Sequence, residues 1–560
     1  MRIKSIISFL VAAVMMAGCS SPEVPKDATA QNRQPNIFPD YKDVVIPPNI
    51  APLNFQVNEN EDQVVVKFEY TGGEMVAGGK NGVVLDEDEW KAMLSAAKGK
   101  DIVVTVYTHL SDSGRWQSYK PFTLSVAEEE IDPYISYRVI PPSYVAYEML
   151  SINQRNITNF DEKVIYCNML VSDEHNGQCI NCHSYQNYHT SHMQFHMRQA
   201  YGGTIITQGD DIRKVNMKIA DATISSGVYP AWHPTLNLIA YSTNNTGQAF
   251  HTMSKAKIEV EDAQSDLILY DVDKNTVMNI ENSPEEFESY PAWTPTGDRL
   301  YYVSAHFEFP DTMKFENHEA YVIKNYRTIK YKIYSKSFDR KSHKFGPREL
   351  VYDATYCEDS LAAPRDTLTT DTTGLPLDPR QKSATLPRIS PDGRYLLFSQ
   401  GDWGCFHIWH PEADLYMMDL QTKQVRKLEN VNSRETESYH SWSSNGRWII
   451  LSSRRDDGNY TRLYIAYFDK QGKAHKAFEL PQKDPGFYTY YMRSYNIPEF
   501  MVEPVTITPQ QFAEAALKDA QNAEFKGPKR GDGKPDATTG ASAKSAKAAQ
   551  NSDGSNYVVN

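Results

Sequence analysis

The feature that most constrains the fold is a pattern that recurs four times between residues 191 and 505. Each copy has a large apolar anchor, then a turn rich in Pro, Asp, Asn and Gly, then a run of apolar residues; the anchors are Trp232, Trp293, Ile389 and Trp442. A turn followed by a buried strand, repeated along a chain, is typical of sheets stacked radially around an axis. The sequence therefore predicts a mostly β protein with a β-propeller of about six blades over residues 191–505.

The segments that flank the repeats are shorter. Residues 46–125 contain two strand patterns around a short helix signal, and they predict a small β-sandwich. Residues 126–190 predict a connector. Residues 506–525 predict a short helix, because a Thr and a Gln three residues later have the spacing of a capping box. Residues 526–560 are mainly Gly, Ala, Ser, Lys, Thr and Asp without an apolar period, which predicts a disordered tail.

The N-terminus has the features of an export signal. Residues 1–18 combine two basic residues with an apolar stretch that is too short to span a bilayer. They end in Met-Ala-Gly before Cys19, which resembles the bacterial lipobox, where the Cys is acylated. Residues 19–45 are rich in Pro, Asn, Gln and Asp and predict a flexible tether. We therefore expect a lipoprotein that meets the membrane only through its lipid, and Ser20 resembles the sorting signal for the outer membrane.

Charge and motif content narrow the function classes. The net charge is −13, which argues against a nucleic-acid binder, because phosphate neutralisation needs a basic surface. The sequence has no G-x-S-x-G, H-E-x-x-H, Walker or dinucleotide-binding motif. The best-defined chemical motif is instead a pair of cysteines followed by a histidine.

That motif consists of Cys179, Cys182 and His183, in the order C-x-x-C-H. It is the attachment signature of c-type haem, in which the two thiols bind the vinyl groups and the histidine is an axial iron ligand. Export fits this interpretation, because c-type haem is attached outside the cytoplasm. The sequence therefore predicts one covalent haem c, with a disulfide or a metal clip as the alternative.

The sixth iron ligand would decide the chemistry of such a haem. Met193 is the first candidate and His196 the second. In an extended segment Met193, Phe195 and Met197 share one face, while Gln194 and His196 share the other. Methionine ligation would suit electron transfer at a higher potential, histidine ligation would lower the potential, and an open iron would permit peroxidase chemistry.

Other Cys and His residues have open interpretations. The segment Cys405–His410 could bind a metal, although a loop packed by aromatic side chains, with solvated histidines, is the simpler expectation. His233 and His440 stand beside blade anchors, where they could line the channel or cap strand ends. A disulfide between Cys357 and Cys405 would leave one cysteine unpaired, and the sequence does not decide whether it forms.

Two resemblances to known families add to these inferences. The four repeats resemble the blades of TolB-like proteins. A longer set of segments resembles a family of Bacteroidota lipoproteins that combine a C-x-x-C-H motif with a TolB-like propeller and are often labelled cytochrome c biosynthesis proteins. The segments that carry this second resemblance are Tyr137–Pro142, Gln154–Asn156, Cys179–Ser184, Phe195–Arg198, Gly202–Gly203 and Tyr229–Pro230. The family implies an envelope lipoprotein with haem and a propeller.

Three functional hypotheses follow. The first is a mono-haem electron-transfer lipoprotein whose propeller docks a redox partner protein or a larger envelope complex. The second is a scaffold whose propeller binds proteins or glycans, with a structural haem or disulfide. The third is a haem peroxidase, which would need an open iron site. Whether the chain is an enzyme is left open by the sequence.

Overall fold

The computed structural model describes residues 22–141, 149–173, 176–250, 257–356, 369–370, 376–377, 380–527 and 556–558. The predicted signal peptide and Cys19 lie outside these ranges, as does Cys357. Over the described ranges no helix is both long and apolar enough to cross a bilayer. The chain divides into two compact units, Met1–Glu130 with Pro481–Tyr491, and Ile131–Leu480 with Met492–Asn560. Both units consist chiefly of strands, which confirms the predicted mostly β class.

The first unit is built on one large sheet. Its elements are β1 (Thr29–Ala30), β2 (Ile37–Phe38), β3 (Val44–Ile46), β4 (Phe55–Val57), β5 (Glu61–Tyr70), β6 (Gly73–Gly79), β7 (Gly82–Val83), helix α1 (Glu87–Ala97), β8 (Asp101–Leu110), β9 (Trp116–Ser118), β10 (Phe122–Val126) and a one-turn helix Phe487–Tyr490. Seven strands form the large sheet, and β2, β4 and β7 form a second, much smaller one. Trp90 of α1 packs edge-on against Phe68 of β5, so a helix also covers the large sheet. The unit is therefore not the predicted two-sheet sandwich.

The predicted tether of residues 19–45 is folded over much of its length. Strand β1 pairs with β9, and β3 pairs with β10, both in parallel. Ile37, Tyr41 and Val44 are at most 4% exposed, so this segment contributes to the core of the first unit. Its polar composition suggested flexibility, but three spaced apolar side chains are enough to fix it to the sheet.

The second unit begins with β11 (Tyr134–Ile140), β12 (Ser151–Asn156) and β13 (Glu162–Cys167). The strands that follow are β14 (Gln178–Gln186), β15 (His189–Gln199), β16 (Gly203–Gln208), β17 (Asp211–Asn216), β18 (Val228–Trp232), β19 (Leu238–Phe250), β20 (Ile258–Asp271), β21 (Thr276–Glu281), β22 (Glu286–Trp293), β23 (Arg299–His306), β24 (Lys332–Asp339), β25 (Lys344–Tyr352), β26 (Thr369–Thr370), β27 (Pro376–Leu377), β28 (Ser383–Ile389), β29 (Tyr395–Gly401), β30 (Asp414–Asp419) and β31 (Val425–Lys427). The last are β32 (Glu437–Trp442), β33 (Trp448–Ser453), β34 (Arg462–Tyr467), β35 (Phe478–Glu479), β36 (Ser494–Met501), β37 (Gln521–Asn522), β38 (Glu524–Phe525) and β39 (Asn556–Val558). Helix α2 is His318–Asn325 and helix α3 is Pro509–Ala516.

Six antiparallel groups of four strands, here called blades, dominate this unit. Blades 3 and 4 are joined into one sheet by a single parallel pair between Ser265 and Phe287, and the short strands β37, β38 and β39 add to blades 2 and 3. Blade 1 consists of β11–β13 and β36, blade 2 of β14–β17, blade 3 of β18–β21, blade 4 of β22–β25, blade 5 of β28–β31 and blade 6 of β32–β35. The first strands β14, β18, β22, β28 and β32 contact one another in sequence, and β36 contacts both β32 and β14. The inner strands thus close a ring, which is the arrangement of a β-propeller.

Blade 1 corrects the predicted connector over residues 126–190. Three of its strands come from residues 134–167, and the inner strand β36 comes from the far end of the ring sequence. Strand β36 pairs with β11 from Tyr134 to Ile140 in antiparallel register. The ring is therefore closed by joining a late strand to three early ones, and its first strand lies well before residue 191.

Every inner strand carries the same irregularity. In its ladder with the next strand, two residues stand opposite one, so the inner strand carries one extra residue. The first of the two has a positive φ between 42° and 55°. The six pairs are Cys182-His183, Tyr229-Pro230, Tyr290-Pro291, Leu386-Pro387, Tyr439-His440 and Ile497-Pro498. A left-handed residue followed by one with no ladder hydrogen bond forms a bulge that turns the strand toward the axis.

Packing between blades is also repeated. The Trp293 indole N–H donates to the carbonyl of Ala231 on the preceding blade, at 3.1 Å, and that of Trp442 donates to the carbonyl of Arg388, at 3.3 Å. Two of the four anchors of the sequence pattern thus join neighbouring blades by a hydrogen bond.

The C-terminal region contains the predicted short helix, but strands follow it. Thr508 caps α3 and forms the predicted capping box with Gln511, although the helix ends at Ala516. Strands β37 and β38 then add to the edges of blades 2 and 3. Most of the predicted disordered tail, residues 526–560, lies outside the described residues, except for its first two residues and β39, which pairs with β19.

Candidate functional site

The C-x-x-C-H motif lies in β14, the inner strand of blade 2. Cys179 pairs with Arg198 and Asn181 with His196 across the β14–β15 ladder, and Cys182 and His183 form the bulge. Cys182 is 5% exposed and His183 is 1% exposed, while Cys179 is half-buried. The motif therefore faces the crowded axis of the ring.

Side chains from two directions hold the backbone of the motif in place. The Asn168 side-chain oxygen accepts the N–H of Ile180 at 3.1 Å, between the two cysteines. The Gln194 amide donates to the carbonyl of Cys182 and to the Ser184 hydroxyl. A buried backbone with its hydrogen bonds made on both sides is costly to move.

The space around the motif is small compared with a haem. The ring of bulges encloses a cavity of about 50 Å³, and a second cavity beside Cys182 has about 110 Å³. Cofactor sites in proteins usually measure roughly 300–1,000 Å³. Binding a haem at Cys179, Cys182 and His183 would require β14 to leave the ring, so the arrangement of these residues does not fit the group.

The environment of His183 has a counterpart elsewhere in the ring. Neither ring nitrogen of His183 has a hydrogen-bond partner among the described residues, and burial, assisted by Arg138, lowers its pKa to about 3. His440 occupies the same bulge position in blade 6, also without a partner in the described part of the chain. Burial lowers the pKa of His440 to about 3 as well. His440 has no cysteine pair beside it, so the orphaned imidazole belongs to the bulge and not to the haem motif.

The two proposed sixth ligands lie on opposite faces of β15. Met193, with Phe195 and Met197, is fully buried in the core that blade 2 shares with blade 1. His196 has its Nδ1 3.1 Å from the Thr204 hydroxyl, on the other face. The faces agree with the predicted alternation, but the structure does not bring both side chains to His183.

The second Cys/His cluster is occupied by hydrogen bonds. His407 contacts the Ser399 hydroxyl at 3.0 Å and the Trp403 carbonyl at 3.2 Å, and His410 pairs with Glu259 at 3.0 Å. The described residues contain no group of three or more His, Cys, Asp or Glu with the geometry of a metal site. The loop is packed by aromatic rings, as expected, but the expectation of solvated histidines is wrong, because His407 and His410 are both buried.

The structure tests the prediction for His233, whereas the prediction of a disulfide between Cys357 and Cys405 stays untested. His233 caps a turn, because its Nδ1 accepts the N–H of Leu236 at 3.0 Å and its Nε2 lies 2.9 Å from the Gly297 carbonyl. Cys167 and Cys405 carry free thiols, as do the two motif cysteines. The proposed partner of Cys405 lies outside the described residues, so that disulfide stays a prediction.

A larger cavity opens where the inner strands leave their bulges. This recess has a volume of about 610 Å³ and is lined by residues that follow the bulge on each inner strand, among them Ala231, Ile389 and Glu499. Polar groups contribute more than half of the accessible lining, and several prolines and Val502 supply the apolar remainder. One ion pair joins Arg388 Nη2 to Glu499 Oε1 at 2.5 Å, with the guanidinium the more exposed partner.

The throat between the recess and the opposite end of the ring is narrowed by aromatic side chains. The rings of Tyr229 and Tyr290 are tilted by 30° with centroids 4.2 Å apart, and the hydroxyls of Tyr290 and Tyr439 are 3.4 Å apart. Burial raises the pKa of all three phenols, so they stay neutral. The throat keeps only the cavity of about 50 Å³ among the bulges, between the recess and the cavity of about 110 Å³.

No protein-family model and no curated protein matches this chain. Among solved structures, TolB from Acinetobacter baumannii is 10% identical, with a TM-score of 0.35, over 74% of this chain and 85% of TolB. Prolyl oligopeptidase B from Galerina marginata is 9% identical, with a TM-score of 0.33, and the match spans 62% of this chain and 44% of that one. A putative 6-phosphogluconolactonase from Bacteroides fragilis is 10% identical, with a TM-score of 0.26, over 63% and 97%. Similarity at this level identifies no family and no activity for the chain.

Proposed function

We propose that this chain is a cell-envelope lipoprotein, anchored through Cys19, whose TolB-like propeller is a binding scaffold. The observation that carries the proposal is the recess of about 610 Å³ at one end of the ring. Its size lies within the range of roughly 300–1,000 Å³ typical of ligand sites. It is also the place where six inner strands converge, so side chains from every blade can contact one occupant.

The lining favours a protein segment over a glycan as the occupant. The indoles of Trp232, Trp293 and Trp442 border the recess but are only 6%, 8% and 3% exposed, so they offer no free face on which a sugar could stack. The accessible lining instead combines prolines and aliphatic side chains with the Arg388–Glu499 pair. A surface that mixes apolar groups with polar and charged ones is typical of protein interfaces that are not obligate.

Charge reversal at the recess tests this proposal. Peptides that bind the recess are first selected from a displayed library on the full-length protein. We expect Arg388→Glu to lower the affinity for these peptides by at least about tenfold, because a bound anionic group would lose its partner. The double variant Arg388→Glu/Glu499→Arg restores the ion pair and is the matched control for folding. Equal binding of the selected peptides by wild type and Arg388→Glu, or selection of no peptide, would contradict the proposal.

The second candidate function is the haem-carrying electron-transfer protein. The order of Cys179, Cys182 and His183 favours it, whereas the space around them does not. The two candidates differ in a single measurable property, which is covalently bound haem.

The measurement is a pyridine haemochrome spectrum of protein exported from a host with cytochrome c maturation. Under the binding-scaffold proposal we expect no c-type band after acid–acetone extraction, and an unchanged circular dichroism spectrum in Cys179→Ser/Cys182→Ser. A c-type band that survives extraction in the wild type and is lost in the double variant would establish the second candidate. It would also show that β14 leaves the ring when haem is attached.

A further inference from the structure

The cavity of about 110 Å³ beside Cys182 is a second feature of the ring, separate from the recess. Its lining residues precede the bulges on their strands, for example Asn181, Val228 and Asn496, whereas the recess is lined by residues that follow them. The two cavities therefore lie at opposite ends of the throat. We call this one the arginine cavity, because Arg138 of blade 1 and Arg198 of blade 2 both line it.

The charged side chains that line the arginine cavity are basic. Among the described residues the lining contains two guanidinium groups, several amide and hydroxyl side chains, and no carboxylate. The buried carboxyl group of Asp262 is held by two lining side chains, the Asn244 amide and, at 2.7 Å, the Thr246 hydroxyl. Asp262 is thus directed at its own hydrogen-bond donors, and it does not serve as the counter-charge of Arg138.

Most of the N–H donors of Arg138 have no acceptor among the described residues. Within the described residues it makes one long hydrogen bond, from Nη1 to the Ile180 carbonyl at 3.5 Å, and its buried Nε has no acceptor. None of the ion pairs among the described residues involves Arg138, whereas Arg388 is paired with Glu499. A guanidinium has five N–H donors in a planar fork that matches the oxygens of a carboxylate or a phosphate.

We propose that the arginine cavity binds a small oxyanion, such as phosphate, sulfate or a short carboxylate. Arg138 would donate to two of its oxygens, and the amides of Gln248 and Asn496 would supply further donors. The volume excludes a nucleotide or a larger organic anion, because such ligands need several times this space. The lining comes from blades 1, 2, 3 and 6 and, through Phe406, from the loop between β29 and β30 of blade 5, so the bound anion lies among five of the six blades.

The test uses the full-length protein dialysed into a buffer without oxyanions, followed by titration with sodium phosphate, sodium sulfate and sodium acetate. We expect a saturable rise in the unfolding temperature and a heat of binding for at least one of them. Arg138→Gln should weaken this binding at least tenfold. The matched control is Arg299→Gln, because Arg299 is paired with Glu349 on blade 4 and does not line the arginine cavity. Which of the three anions binds distinguishes a tetrahedral from a planar ligand.

An equal response of Arg138→Gln and Arg299→Gln would show a general salt effect and overturn the proposal, as would no saturable response at tens of millimolar anion. Should Arg138→Gln fail to fold, Gln248→Leu tests the same cavity without removing a charge. Crystals soaked in selenate give an independent readout. An anomalous peak in the arginine cavity supports the proposal, and peaks confined to other surfaces contradict it. The proposal does not depend on the function of the recess, so either can fail alone.

Discussion

His440→Pro is expected to fold like the wild type and to be more stable in acid by about 4 kcal/mol at pH 4. The backbone permits the change, because Pro follows the left-handed residue in four of the six bulges. The ladder between β32 and β33 is interrupted between Ser438 and Ser441, so the N–H of His440 is not part of it. Proline at a compatible position also restricts the unfolded chain, which adds about 0.4–1 kcal/mol.

The expected gain in acid follows from the direction of the pKa shift. Burial lowers the pKa of His440 to about 3, so the folded protein holds the neutral ring while the unfolded chain binds a proton near pH 6.5. Between these two pKa values the unfolded state binds more protons than the folded state. The free energy of unfolding is therefore highest above about pH 6.5 and decreases as the pH falls. pH 4 lies about 2.5 units below the pKa of the unfolded chain, and each unit lowers the free energy of unfolding by about 1.4 kcal/mol.

Urea unfolding midpoints measured from pH 4 to pH 8 check this expectation. His440→Gln is the informative control, because it removes the titration but keeps a buried polar group without the proline. It should flatten the pH dependence without the added stability at pH 7.5. Failure of His440→Pro to fold at pH 7.5 would show that the blade 6 bulge is not equivalent to those that contain proline.

The equivalence of the six bulges also explains which blades could be predicted from the sequence. The four repeats were recognisable because their anchors, Trp232, Trp293, Ile389 and Trp442, precede clear turns. Cys182-His183-Ser184-Tyr185 has the pattern of Tyr439-His440-Ser441-Trp442, in which each residue has the same position relative to the bulge. That signal was present in the sequence, but the spacing of the two cysteines directed the interpretation to haem.

Blade 1 was harder to predict from the sequence. Ile497-Pro498-Glu499-Phe500 also fits the bulge pattern, but no turn and apolar strand follow it. The partner strands of β36 are β11–β13, several hundred residues earlier, so no local periodicity connects them. Pairing across such a distance depends on the closure of the whole ring, which is a property of the tertiary structure.

The candidate sites were only partly predictable for a related reason. The sequence identified Cys179, Cys182 and His183 as unusual, and the structure does place them at the axis. It could not indicate Arg138 and Arg198, because each is a single basic residue in an ordinary strand pattern. The arginine cavity and its basic lining form only where the inner strands of several blades meet. Neither can therefore be derived from the residues of one segment.

Ending the chain at Arg493 is expected to abolish cooperative folding of the ring. This truncation removes β36, the inner strand of blade 1, which pairs with β11 and contacts β32 and β14. Tyr495, Phe500 and Met501 are at most 1% exposed, and burying such side chains contributes about 1.5–3 kcal/mol each. Their sum is comparable with the total stability of roughly 5–15 kcal/mol of a typical domain.

The matched control is a chain that ends at Gly527, which keeps β36, α3, β37 and β38. We expect this control to unfold cooperatively in urea with the midpoint of the full-length protein, and the shorter chain to show a broad transition or none. A peptide of residues 494–527 added in trans should restore the cooperative transition, since β36 makes its contacts as a separate strand. An unchanged midpoint and slope in the chain that ends at Arg493 would contradict the closed ring, because it would show that five blades and an open edge are as stable as six.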